Sequence, residues 1–550
     1  KTNGVTGQWV PKQYAGGNYG TNGFYLNFSD NSSTSALGTD SSGQGNNWST
    51  SNFSVTAGVT NDVFTDTPTN NFCTMNSIVP ASAKAGTLTN GNLEQAGTDH
   101  ALQKATWHFG PGSITTGKWM WEINDVASSG NGQYGKYAGV TSNLTQDGGE
   151  IASTADKSWA STTTAFCKDY TATSSVATGT GSITSDNHES PGVMTFALDL
   201  DAQTLKYYYN GTLLRTDSTI PDPAVTEFVP FAFSTNSGAS YDWTTSHWNF
   251  GQRAFSHEQT GYKSLCTANL PEPTIKNPSK YFNTGTYTGT GSSNAITGLG
   301  FQPDKVVVKM RNTANQDFQV FDDVRSSLKV LRWNTQEAEG TQTTRLTSLD
   351  SDGFTVGTEN ITNQSSKNFV YWAWKESASI GFDMVTYTGD GSTPRNISHS
   401  LGAVPELMII KCLSDDSTRW IVYNKTMDAD ENMFLNSTDD DENTNNYWAS
   451  TRPTSSVFTV MDGSEVNGNS RTYINYLWAS VAGMCKVGTY TGNDANDGAF
   501  LHLGFRPSFF LVKNTNDNEA WALYDDARGF NDNNPYIVPS GYNNMVELTD

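Results

Sequence analysis

Charge is scarce in this chain. Charged residues make up 16% of its 550 positions, well under the usual share of about a quarter, so Ser, Thr, Asn and Gly keep the surface polar instead. Bases are the scarcer sign: 33 Lys and Arg stand against 55 Asp and Glu, a net charge of −22. That balance excludes tracking along nucleic-acid phosphates, which needs a basic face, and excludes docking on an anionic membrane surface. Long apolar runs are missing too. The stretches 407–413 and Phe509–Val512 are only strand-length, far short of the roughly 18 residues of a membrane span, so no membrane insertion is expected. Cysteine is sparse: Cys73, Cys167, Cys266, Cys412 and Cys485 lie far apart and form no CxxC pair. This excludes a zinc ribbon and argues against a disulfide framework. Helical periodicity is almost absent, and there is no HExxH, G-x-S-x-G or P-loop.

Aromatic residues are plentiful at 12%, with 15 Trp, 23 Tyr and 27 Phe. Low charge with many aromatics is the reverse of a disordered composition, so the bulk of the chain folds. Short alternating runs recur between Gly, Asn, Asp and Ser clusters, the signature of strands and turns. The run 204–214 (TLKYYYNGTLL) reads as a hairpin hinged at Asn210-Gly211, both tolerant of the positive φ of a type I′ turn. The expected fold is all-β, built of tandem β-sandwiches.

An internal repeat organises the second half. TYTG stands at 286–289, 386–389 and 489–492. A Leu-Gly pair follows at Leu299-Gly300, Leu401-Gly402 and Leu503-Gly504, then Pro303, Pro405 and Pro507, then Lys309, Lys411 and Lys513. Aromatic pairs come later: Phe318 and Phe321, Trp420 and Tyr423, Trp521 and Tyr524. Landmarks in such register define a repeated β domain of about 100 residues, too long for a solenoid turn. The chain therefore parses as an arm (1–22), a β-sandwich with upstream strands (23–255), and a linker carrying Pro271, Pro273 and Pro278 (256–280). Repeat units follow at 281–380, 381–485 and 486–550, the third incomplete. Either further chain or another subunit is expected to complete its sheet.

In the first segment, GKWMWEI (117–123), YAGV (137–140), GVMTFALDLDAQTLKYYY (192–209), Asn210-Gly211, FVPFAF (228–233) and WNFG (248–251) follow one another in an order that resembles the SPRY domain. The resemblance implies a concanavalin-like bent β-sandwich that binds proteins and ligands. GFYLNFSD (23–30), LGTDSSGQGNNW (37–48) and DTPTNNF (66–72) resemble the stretch preceding SPRY domains in virion proteins of marine bacteriophages. The 102-residue unit resembles a domain of unknown function in the same tail and fibre proteins. What this implies is a tail fibre or appendage on the extracellular phage particle. Its partners would be other virion proteins and a host-surface glycan or protein receptor. Such fibres commonly form closed oligomers, so a homotrimer is expected, bracing a row of small domains that would otherwise flex. A secreted bacterial adhesin or carbohydrate-binding protein, a head fibre or decoration protein, and a glycan-degrading spike are the alternatives.

Site chemistry is thinly marked. The seven histidines do not sit at ligand spacing, so structural or surface roles are expected for them. Asp428, Asp430 and Asn432 mimic the start of a calcium loop, but Met433 stands where the turn needs Gly and no Glu closes it. A solvated acidic loop is the simpler reading, and neither metal nor cofactor is expected. No carboxylate pair singles itself out for hydrolysis, so no enzyme activity is expected. The candidate ligand-binding residues are Trp159, Tyr170, Tyr241 and Trp243, aromatics in loop-like stretches among Ser, Thr, Asp and Asn. Exposed rings of this kind stack on sugars or anchor interfaces, or else they plug the ends of the sandwich. Tyr287, Tyr387 and Tyr490, which recur with TYTG, are read as structural.

Overall fold

The computed structural model describes residues 12–58, 61–77, 87–96, 102–125, 136–141, 165–169, 176–178, 181–183, 192–234, 246–439, 442–443, 447–492 and 501–528, apart from 13, 15, 68, 111–112, 219, 221–226, 273, 312, 314–315 and 502. It is all-β: the one α-helix among these residues, Asn360–Asn363, is a single turn. The chain forms two compact units, the first mainly Gln8–Glu272 together with Tyr490–His502 and the second mainly Pro273–Thr489 and Leu503–Asp550.

The first unit is a two-sheet sandwich. Its larger sheet runs Thr87–Thr89, Glu94–Ala96, Ser246–Asn249, Lys118–Asp125, Gly192–Asp199, Thr204–Tyr209, Thr212–Asp217; its smaller sheet runs Leu102–Lys104, Val229–Ser234, Lys136–Thr141, Ala165–Asp169. Strand alternation sends Trp119, Trp121 and Ile123 into the core between them, where Trp121 stacks on Phe196 at 5.2 Å. The expected hairpin is present, with φ of 45° at Asn210 and 79° at Gly211. The Asp-Leu-Asp turn has its own work: Asp199 pairs with Lys118 at 2.9 Å and Asp201 accepts the Gly117 N–H.

The expected linker is largely folded instead. Lys263–Ser264 lies parallel to Lys118–Asp125, Leu265 and Cys266 are buried, and Glu122 accepts the N–H groups of Ser256 and His257 at 2.8 and 2.7 Å. Pairing here occupies only two residues, too few for alternation to show in the sequence.

In the second unit, repeats one and two share one strand order. The four-stranded sheet Phe282–Thr288, Asn368–Trp374, Lys305–Met310, Gln319–Asp322 corresponds to Phe382–Thr388, Thr472–Trp478, Leu407–Cys412, Ile421–Asn424. In the third repeat the pair Phe509–Val512 with Ala522–Asp525 repeats the last two of these strands. The sheet of repeat two continues through Glu431–Phe434 and Glu442–Asn443 to six strands, and the central strands of both sheets carry apolar residues on both faces. Val306, Val308, Met310, Phe369, Tyr371 and Ala373 pack inside repeat one, and Met408, Ile410, Cys412, Tyr473 and Leu477 do so inside repeat two. The alternate residues, among them Val307, Trp372, Trp374, Ile409, Tyr476 and Trp478, join Trp521 and Leu523 of repeat three in one further core. The tandem β arrangement is as expected, but the modest interfaces expected between the small domains are corrected for the repeats: all three share a core.

TYTG closes each of the first two repeats. Tyr287 stacks on Phe369 and donates to Thr362 O at 2.5 Å; Tyr387 stacks on Tyr473 and donates to Val466 O at 2.6 Å. A Cβ on Gly289 or Gly389 would lie 2.2 Å from a carbonyl oxygen of the facing loop, so only glycine fits there. Tyr490, by contrast, is 40% exposed.

Candidate functional site

Trp159, Tyr170, Tyr241 and Trp243 all lie outside the described residues. The acidic stretch differs from its expected form. Glu431–Phe434 is a strand on Ile421–Asn424, which buries Asn432 and sends Met433 into the shared core. Asp428 is held in a tight turn by the Glu431 carboxylate, which accepts its N–H at 2.7 Å. Among the described residues no group of three or more His, Cys, Asp or Glu is placed to hold a metal ion, and Cys73, Cys266, Cys412 and Cys485 are free thiols.

An exposed aromatic face lies instead in the stretch before the first sandwich. Phe24 and Trp48 meet at 4.8 Å between ring centroids, with 43% and 55% of their surfaces exposed. The same segment holds a second aromatic group, in which Tyr19 lies 5.1 Å from Tyr14 and stacks on Tyr25 at 6.0 Å. Asp40 holds this segment in shape. It is nearly buried, and its carboxylate accepts the N–H groups of Tyr25, Ser42 and Asn46 and the Ser42 hydroxyl, all within 2.7–2.9 Å. Burial pushes its pKa up, but these donors together outweigh burial and hold it well below the usual carboxylate range. The Asn46 side chain ties the loop to Thr21 O and Gly23 O at 2.9 and 2.8 Å. The signal in the sequence was a density of aromatics without strand alternation.

Inside the second unit, corresponding bonds join the repeats. Trp420 donates to Arg332 O of repeat one, and Trp521 to Phe434 O of repeat two, both at 2.9 Å; acceptor and acceptor stand 102 positions apart. Tyr476 donates to Asp322 at 2.6 Å and Trp372 to Asp525 at 3.1 Å. Each of these aspartates is also gripped by a buried arginine three residues on, Arg325 and Arg528. Repeat two thus bonds to one, three to two, and one to three, closing a ring.

The recurring lysine serves this joint: Lys411 donates to Gln336 O, Thr418 O and Thr418 Oγ1 at 2.8–2.9 Å. Burial pushes its ammonium down to about 8. Lys305 is different. It is fully buried, with its Nζ 3.8 Å from the centre of the Tyr476 ring, 4.8 Å from Trp478 and 5.0 Å from both Trp333 and Trp374. It meets no hydrogen-bond acceptor among the described residues. Burial drives its pKa well below the usual lysine value, against a partial pull upward from Asp322. Between repeats one and two, burial and a hydrogen bond to Asp383 push Glu376 up to about 7. A hydrogen-bonded carboxyl pair is closer than the spacing of about 5 Å or more that glycoside hydrolysis uses.

Residues 277–544 match a family model described as a domain of unknown function, DUF7483. The match runs across all three repeats, the span over which one core is shared. No curated protein matches the chain. Among solved structures, the SPRY domain of human HERC1 is similar at 17% identity and a TM-score of 0.23, over 31% of this chain and 95% of that one. Stonustoxin is similar at 14% identity and a TM-score of 0.21, over 32% of this chain and 26% of that one.

Proposed function

We propose that this chain is a non-enzymatic structural protein of a bacteriophage particle, a tail fibre or similar appendage that touches the host surface. The observation that carries the reading is the closed ring of three repeats, in which indole and phenol donors tie each repeat to its neighbour across one aromatic core. Such a module transmits force without flexing between its parts. The exposed rings before the first sandwich supply a surface that contacts something else, and the resemblance of the SPRY-like segment and the repeats to phage tail proteins supplies the setting. Its partners are then other virion proteins and a host-surface receptor.

Mass spectrometry of purified particles tests this directly. The chain is expected in stoichiometric amount, and its absence from particles but presence in the culture medium of a bacterium would establish the secreted-adhesin alternative. Bracing was one reason to expect a homotrimer, and the ring supplies that bracing within one chain. Light scattering reads the assembly: a mass near three times 59.8 kDa retains the trimer, and a mass near 59.8 kDa removes it while leaving the structural role intact.

A further inference from the structure

The aromatic face around Trp48 has a composition that narrows what it can hold. From residue 13 to residue 53 the chain carries two charges, Asp30 and Asp40, and the nearest cation in sequence is Lys12. With no Lys or Arg between Tyr14 and Trp48, the Phe24–Trp48 pair has no cation from its own segment to offer a phosphate, sulfate or carboxylate. Asp40 is committed to its own loop and Asp30 to Ser32, so neither carboxylate is spare for a basic peptide. What remains is a set of exposed rings interleaved with neutral groups, including the Gln44 amide and the NH2 groups of Asn18 and Asn47, whose oxygens accept N–H groups of the segment itself. A sugar ring needs this combination: an apolar C–H face to lie on an aromatic ring, and hydroxyls that exchange hydrogen bonds with neutral donors and acceptors at the rim. The Asp40 and Asn46 ties hold the loop before any ligand arrives, which lowers the ordering cost of binding.

We propose that this face binds a neutral glycan, one sugar ring stacking on Trp48 with Phe24 as the side wall. Asp40 is a positioning residue. The attachment reading suggests where such a glycan would come from, but binding by the purified chain does not depend on it. Particle mass spectrometry and glycan binding can therefore fail separately.

The test uses the full chain with maltohexaose, the hexamer of N-acetylglucosamine and a yeast mannan as probes, followed by saturation-transfer NMR and indole fluorescence. Saturable binding to at least one probe is expected. Trp48→Ala should weaken it by about tenfold and Trp48→Phe by less, since a smaller ring still stacks. Asp40→Asn should also weaken it while Trp48 stays in place, and the unfolding midpoint of Trp48→Ala should match the parent because the ring is exposed. Binding to none of the three probes would overturn the proposal, as would binding that Trp48→Ala leaves unchanged. A fall in molecular mass on Trp48→Ala without glycan binding would assign the face to a second copy of the chain and equally overturn it.

Discussion

Replacing Lys305 by Met is expected to stabilise the second unit at neutral pH. The ammonium is enclosed by five rings within 5.8 Å and has no hydrogen-bond acceptor among the described residues. Desolvating a charge costs several kcal/mol, and exchanging buried charges for apolar groups of similar volume commonly gains about 1–4 kcal/mol. Against this stand the ring contacts, worth roughly 0.5–2 kcal/mol for each well-placed ring. Only Tyr476 lies close at 3.8 Å, and a methionine sulfur recovers about 0.3–1.5 kcal/mol from the same rings. Burial wins, and the net gain should be about 1–3 kcal/mol. The corresponding positions of repeats two and three, Leu407 and Phe509, are apolar and join the same core. The pH dependence has a definite sign. The folded-state pKa lies below the ordinary 10.5, so the unfolded chain binds the proton more tightly. The penalty is complete below the folded value and fades as pH rises toward 10.5. Guanidinium unfolding followed by indole fluorescence at pH 7 and pH 10 should therefore show a gain for Lys305→Met that shrinks at the higher pH. A loss of stability at pH 7, or a gain independent of pH, would refute the reasoning.

Tyr476→Phe removes the donor to Asp322 at a repeat-to-repeat joint and should cost about 1.5–3 kcal/mol, the value of a hydrogen bond to a charged group. Hydrogen exchange of the Gln319–Asp322 amides should quicken accordingly, and unchanged exchange would place the joint's strength elsewhere. The Glu376 carboxyl is raised by burial, and by Asp383 and Asp323, to a folded pKa of about 7, above the ordinary 4.5. The stability it contributes is complete below pH 4.5 and lost as pH rises through 7. Glu376→Gln should flatten the unfolding-midpoint curve across that window and exceed the parent above pH 7; parallel curves would show that the carboxyl pair does not titrate there.

The repeat was legible because selection on packing leaves residues at fixed intervals. Tyr287 and Tyr387 hold facing loops, and Lys411 satisfies loop carbonyls, so each landmark has a local task that spacing alone reveals. The shared core was written less openly, in KVVVKM (Lys305–Met310), LMIIKC (Leu407–Cys412) and FFLV (Phe509–Val512). Continuous apolar runs mark strands buried on both faces, but they do not say what covers the second face. Asn363 and Asn467 also escaped notice. Both are fully buried and organise the turn after TYTG, yet a single Asn in a loop looks like any other. The aromatic face at Trp48 was hidden for a further reason: its rings are set by side-chain ties from Asp40 and Asn46, and such ties have no period.

Lys305, Leu407 and Phe509 occupy corresponding positions yet carry three different side chains. Three identical chains around an axis cannot do this, since a lysine there would be a lysine three times over, with ammonium groups repelling across a dry interior. Covalent linkage frees the copies from that identity. Once duplicated in one polypeptide, each repeat can drift at the centre to complement its two neighbours rather than its own image. The ring thus trades the economy of symmetry for the freedom to mutate one third of its interior at a time.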